Sequence, residues 1–124
     1  MAGSVIKVTH IITSLDEISH YYDALFVDLW GCVHNGIVAY TAAVEALIKY
    51  RKNGGKVVLV TNSPKPRIGV EKQLLHFNVP KICYDTVATS GDSARVAMFT
   101  GVVGKKVFFI GEPRDQLFFE PISI

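Results

Sequence analysis

Cysteine is scarce in this sequence: only Cys32 and Cys83 occur among 124 residues, far apart, with no CxxC pair and no clustered histidines. That spacing excludes the common zinc frameworks and fits reduced thiols in a cytoplasm. Long hydrophobic runs are missing as well. No apolar stretch approaches the ~18 residues of a membrane span, and Met1 to Ser4 lacks the charged start of a secretory signal. Neither sign of charge dominates: the formal net charge is +2, and the densest basic group, Lys65 and Arg67, is short and has no interleaved aromatics. Neither nucleic acid nor a membrane is an expected partner, and the expected location is cytoplasmic. His10, His20 and His76 stand singly and read as ordinary surface or half-buried residues. Internal repeats and low-complexity linkers are absent.

What is present is an apolar-rich globular chain, 49% hydrophobic and 19% charged. A single domain near this length buries roughly two thirds of the surface its unfolded form exposes. Ser14-Leu-Asp-Glu17 is a capping-box pattern that predicts a short helix over residues 15 to 21. Residues 24 to 29 form a continuous apolar run interrupted only by Asp28, as expected of a strand buried on both faces. Thr41 is placed to cap a helix with Val44, Leu47 and Ile48 at helical spacing, stopped by Asn53-Gly54-Gly55. A second strand follows at residues 56 to 61.

A helix over residues 66 to 77 is predicted to turn Ile68, Leu74, Leu75 and Phe77 inward, and Asn78-Val79-Pro80 closes it. A brief extended piece is expected over Ile82 to Tyr84. Ser90 or Asp92 is expected to cap a further helix carrying Val96, Met98 and Phe99, and "KKVFFIGEP" reads as a strand over residues 105 to 110. Val5, Ile6 and Val8 have the composition to add a strand. Strands separated by helices at this spacing imply an α/β fold, a Rossmann-like parallel sheet with helices layered on it.

Open parallel sheets keep their chemistry at the carboxyl ends of the strands. Polar residues stand at three such predicted ends: Asp28, then Thr61-Asn62-Ser63, then Gly111-Glu112. A lone aspartate there is a weak signal, because Asp commonly opens turns. An aspartate beside a hydroxyl-and-amide cluster on the next strand is a stronger one, since the two would converge on one small anion.

With those residues in view, "YYDALFVDLWGCVHNG", "GGKVVLVTNSPKPR", "VATSGDSARVAMF" and "KKVFFIGEP" resemble, in order and spacing, the haloacid dehalogenase superfamily, specifically its class IIA, p-nitrophenylphosphatase-like branch. The resemblance runs from about Tyr22 to Glu112. It implies a Mg²⁺-dependent phosphohydrolase for a small phosphorylated substrate, working through an aspartyl-phosphate on Asp28. Asp28 would also bind the metal, with the main-chain carbonyl of Trp30; Gly31, Thr61 and Asn62 would bind the phosphoryl group.

The first motif here reads Asp28-Leu29-Trp30-Gly31, where most of the family has a second aspartate at the place of Trp30. That aspartate serves as general acid and base. An indole N–H does not titrate usefully near neutral pH, and losing such help costs typically about 10² to 10⁴ in rate. Within class IIA the "WGCVHNG" form resembles one subgroup that carries Trp at this place. His34 is the nearby side chain able to take over proton transfer; the competing reading makes it a polar loop residue before the turn at Asn35-Gly36.

The family's later lysine and acidic motifs have no counterpart after Glu112, so the chain resembles the front part of a phosphatase core, without the cap domain and later core motifs. Two functions follow: a phosphohydrolase, impaired in this short form, or a non-catalytic α/β fragment or interaction module. A receiver-like or flavodoxin-like domain shares the alternating pattern but explains "VTNS" and "WGCVHNG" poorly. Family strand order would leave residues 24 to 28 as an open apolar edge, which implies self-association of the chain.

Overall fold

A computed structural model describes residues 9–120; the strand suggested by Val5, Ile6 and Val8 lies outside them. Six regular elements alternate along the chain: β1 (Ala24–Asp28), α1 (Thr41–Lys52), β2 (Lys56–Thr61), α2 (Arg67–His76), β3 (Thr86–Thr89) and α3 (Ser90–Phe99). The strands form one parallel sheet in the order β1-β2-β3. Its register sets Asp28 opposite Val60 and Thr61 opposite Thr89. All three strands therefore deliver their carboxyl ends to one rim of the sheet.

Alternation along the strands decides which face is covered. Val57 and Leu59 of β2 and Val87 of β3 are buried, and Leu25 and Val27 of β1 pack against the same cluster. Over them lie Leu47 and Tyr50 from α1 and Val70 and Leu74 from α2. The opposite face leaves Phe26 79% and Val60 40% exposed. β1 is thus not buried on both faces. It is one of the two sheet edges among the described residues, and no helix among them covers Phe26, so an apolar run ends half covered.

Several local expectations are corrected. The segment 15 to 21 is two 3₁₀ turns, Leu15–Glu17 and Ser19–Tyr21, rather than one helix. Thr41 is the first residue of α1 and not its cap. Tyr40 is the last non-helical residue because its N–H is held by the Val33 carbonyl at 2.8 Å. On α2, Ile68 and Leu75 face outward and Val70 inward with Leu74 and Phe77. The helix meets a single sheet face, and only one stripe can reach it.

The piece at Ile82 to Tyr84 is a 3₁₀ turn, Lys81–Cys83, closed by Cys83 N–H onto the Pro80 carbonyl at 3.0 Å. The third strand comes immediately after it, at Thr86–Thr89. Because β3 runs into α3 with no loop, the cap of α3 falls to the last strand residue: Thr89 Oγ1 accepts the Asp92 N–H at 2.9 Å. Ser90 and Asp92 are inside the helix.

Residues 105–110 form no strand, and Phe108 and Ile110 are exposed. A strand exists only through a ladder partner, which an apolar pattern does not supply by itself. Gly111-Glu112 accordingly does not mark a strand end. The following turn, Pro113–Phe119, is tied to α3 by Arg95, whose Nε donates to the Phe118 carbonyl at 2.9 Å and whose Nη1 reaches Asp92 Oδ1 at 3.0 Å.

Candidate functional site

A cavity of about 430 Å³ opens at the rim where β1 and β2 end. It is lined by Leu29, Trp30 and His34 from the loop after β1, by Thr61, Asn62, Ser63 and Lys65 from the end of β2 and its loop, and by Val70, Gln73 and Leu74 from α2. Thr61 and Asn62 thus meet Trp30 and His34 in one concavity. Asp28 stands just behind Leu29 at the end of β1, exposed and outside the lining itself. Its Oδ1 accepts the Leu29 N–H at 2.8 Å.

The loop after Asp28 is a tight coil. The Leu29 carbonyl accepts the Val33 N–H at 2.8 Å and the His34 N–H at 3.2 Å, while Gly31, at φ +79°, donates to the His34 carbonyl at 2.8 Å. Gly31 therefore shapes the turn and does not line the cavity. Trp30 is 68% exposed, and its indole lies over Gly36, where a Cβ would come within 2.3 Å of the ring. Glycine is required there by the close approach as well as by its positive φ.

His34 is buried, its ring 4.8 Å from that of Phe77 and edge-on to Trp30. Its Nδ1 accepts the Gly36 N–H at 3.0 Å, which leaves the other nitrogen to carry the proton of a neutral imidazole. Burial lowers its pKa below the ordinary histidine value, and the nearby Asp28 charge opposes that shift in part.

On the β2 side, Thr61 Oγ1 accepts the Ser63 N–H at 3.2 Å, so its own hydroxyl proton is free to donate to a ligand. Ser63 Oγ accepts the Lys65 N–H at 3.2 Å, and the Ser63 carbonyl accepts the Gly91 N–H at 3.1 Å. The arrangement offers a carboxylate, a hydroxyl donor and an amide at adjacent strand ends. That is suited to holding a tetrahedral anion against a nucleophile.

A model of haloacid dehalogenase-like hydrolases matches residues 25–122. The chain belongs to that family. Its fold is similar to the crystal structure of a hydrolase of the haloacid dehalogenase-like family from Brucella suis 1330, with 37% identity and a TM-score of 0.77. The likeness covers 89% of this chain and 41% of that one, so the chain spans less than half the length of this family relative. No curated protein matches the chain significantly.

The rim is the candidate site region of this family member. Sequence reasoning overlooked Lys65 and Gln73 there. The available signal was position: Lys65 sits in the loop directly after a strand end, where parallel sheets keep their binding groups. As for a metal, no group of three His, Cys, Asp or Glu side chains able to hold an ion occurs among the described residues. Asp28 and the Trp30 carbonyl are oxygen donors of the hard type Mg²⁺ takes, and this ion commonly binds through one or two carboxylates, with substrate phosphate and water completing the octahedron. The donors present fit that minimal form. Among the described residues no helix is long and apolar enough to cross a membrane.

Proposed function

We propose that the chain carries the nucleophile-bearing part of a class IIA, p-nitrophenylphosphatase-like phosphohydrolase acting on a small phosphate ester. The observation that carries this reading is the convergence at one rim of an exposed Asp28 carboxylate with Thr61 and Asn62, which share a cavity with the loop that Asp28 begins. Mg²⁺, held by Asp28 and the Trp30 carbonyl, would supply charge neutralisation between an anionic nucleophile and an anionic phosphate.

Asp28 Oδ1 is engaged by the Leu29 N–H, so Oδ2 is assigned the attack. It forms the bond to phosphorus as the bond to the leaving oxygen breaks, and that oxygen departs with the electron pair. Thr61 donates its hydroxyl proton as a hydrogen bond to a phosphoryl oxygen, and the Asn62 amide holds another. Water then attacks the aspartyl-phosphate, releasing inorganic phosphate and restoring the carboxylate. No titrating carboxylate stands at Trp30 to protonate the leaving group. His34, neutral and tied to Gly36, is assigned a positioning role in the loop. The reaction therefore favours leaving groups that are stable as anions.

The test is Mg²⁺-dependent phosphate release from p-nitrophenyl phosphate by this chain beside an Asp28→Asn variant, which controls for a contaminating phosphatase. Activity lost in the variant supports the reading. Equal rates in both proteins favour the second one, a non-catalytic α/β module.

A further inference from the structure

Of the residues lining the strand-end cavity, Lys65 alone bears a full charge: His34 is tied to Gly36 as a neutral ring, and the other eight are uncharged. Three lysines are paired with carboxylates, Lys49 with Asp16, Lys56 with Asp85 and Lys81 with Glu71, but none of these lines the cavity. The Lys65 ammonium has instead a neutral partner, Gln73 Oε1 at 3.4 Å, and no carboxylate within ion-pair distance among the described residues. Gln73 is itself a lining residue, so this long bond holds the ammonium at the cavity.

The main chain beneath Lys65 is pinned on both sides. Its N–H donates to Ser63 Oγ, and prolines at 64 and 66 stiffen the loop around it. At the amino end of α3, Gly91 packs directly on this loop: a Cβ there would come within 2.2 Å of the Pro64 carbonyl oxygen and 2.6 Å of that of Lys65. A stiff loop, a neutral tether and an uncompensated charge facing a cavity with a free hydroxyl donor make an arrangement that wants an anion.

We propose that Lys65 is the anion-binding cation of this site, taking the same phosphoryl group that Thr61 and Asn62 hold. The inference rests on the phosphate ligand of the reading above and goes beyond it. It assigns phosphate binding to a residue of the loop after β2 and makes that binding independent of any metal and of any later part of a longer chain.

Trp30 is the sole tryptophan of the sequence and lines the cavity, so its emission reports occupancy directly. The experiment titrates inorganic phosphate into metal-free protein, followed by Trp30 emission and in parallel by calorimetry, for the unaltered chain, Lys65→Met, Lys65→Arg and Asp28→Asn. Lys65 is exposed, and circular dichroism verifies that the variants fold. Expected are saturable binding by the unaltered chain, a loss of about ten- to hundred-fold in Lys65→Met, near-complete rescue by Lys65→Arg, and no weakening in Asp28→Asn.

Phosphate binding equal in Lys65→Met and the unaltered chain overturns the proposal, as does the absence of saturable binding by both readouts. The hydrolase reading stands or falls separately. Lys65-dependent phosphate binding without Asp28-dependent hydrolysis would sink that reading alone, and hydrolysis with unaltered binding in Lys65→Met would sink this one alone.

Discussion

The guanidinium of Arg51 forks onto the carboxylate of Asp85, with Nε 3.1 Å from Oδ2 and Nη2 2.9 Å from Oδ1. The pair does more than neutralise charge. Asp85 Oδ2 also accepts the Val57 N–H at 2.8 Å, and Arg51 Nη1 donates to the Ile82 carbonyl at 2.7 Å. The end of α1, the start of β2 and the turn leading into β3 are thereby fixed to one another at the rim opposite the site.

This clamp predicts a pH dependence of stability. The Val57 N–H, and next the Arg51 side chain, hold the Asp85 carboxyl below its ordinary value. The unfolded chain therefore takes up this proton first as pH falls. The stabilisation is complete above the ordinary carboxylate value of about 3.9 and is lost as pH drops through the lower, folded one. Asp85→Asn is expected to melt earlier than the unaltered chain at neutral pH. The gap should narrow below about pH 4, which thermal unfolding across pH checks directly.

On the phosphohydrolase reading proposed above, Trp30 limits the chemistry rather than the fold. Trp30→Asp restores a titrating carboxylate beside the leaving group and is expected to raise turnover of alkyl phosphates by about 10² to 10⁴. The effect on p-nitrophenyl phosphate, whose leaving group needs no proton, should be small. Parallel kcat measurements on the two substrate types decide it; equal gains on both would point to a steric effect of removing the indole.

Leu74 and Leu75 are adjacent on α2 and differ in surroundings. Leu74 is fully buried, whereas Leu75 is 60% exposed. Leu74→Ala is expected to cost about 2 to 5 kcal/mol, and Leu75→Ala to stay within about 0.5 kcal/mol of the unaltered chain. Urea unfolding of both variants tests the assignment of the inward stripe.

The cap of α3 allows a similar contrast. Thr89→Ala removes the hydroxyl that accepts the Asp92 N–H and is expected to destabilise by about 0.5 to 2 kcal/mol. Ser90→Ala, inside the helix, should change little. A reversal of that order in denaturant titrations would move the cap back to Ser90.

The open edge of β1, with Phe26 exposed beside it, carries the expectation of self-association. Sedimentation at tens of micromolar should show dimers or larger species that Phe26→Lys reduces. A monodisperse monomer would mean that this edge is protected.

The sequence by itself determined the order of elements from β1 to α2 and the identity of the strand-end residues. Those signals are local: an apolar run ending at Asp28, a run ending at Thr61-Asn62, and the breakers at Asn53-Gly54-Gly55 are each contained in a few consecutive residues. Family resemblance then attached a chemistry to them. Only the tertiary structure decided which stripe of α2 faces inward, because that depends on which sheet face the helix meets. It also decided that residues 86–89, and not 105–110, form the third strand, since a strand is defined by its ladder partner and not by its own apolarity. And it placed Lys65 at the cavity: its charge is visible in the sequence, but its lack of a carboxylate partner among the described residues and its place in the lining depend on how distant segments come together, as the loop after β2 does with Gly91.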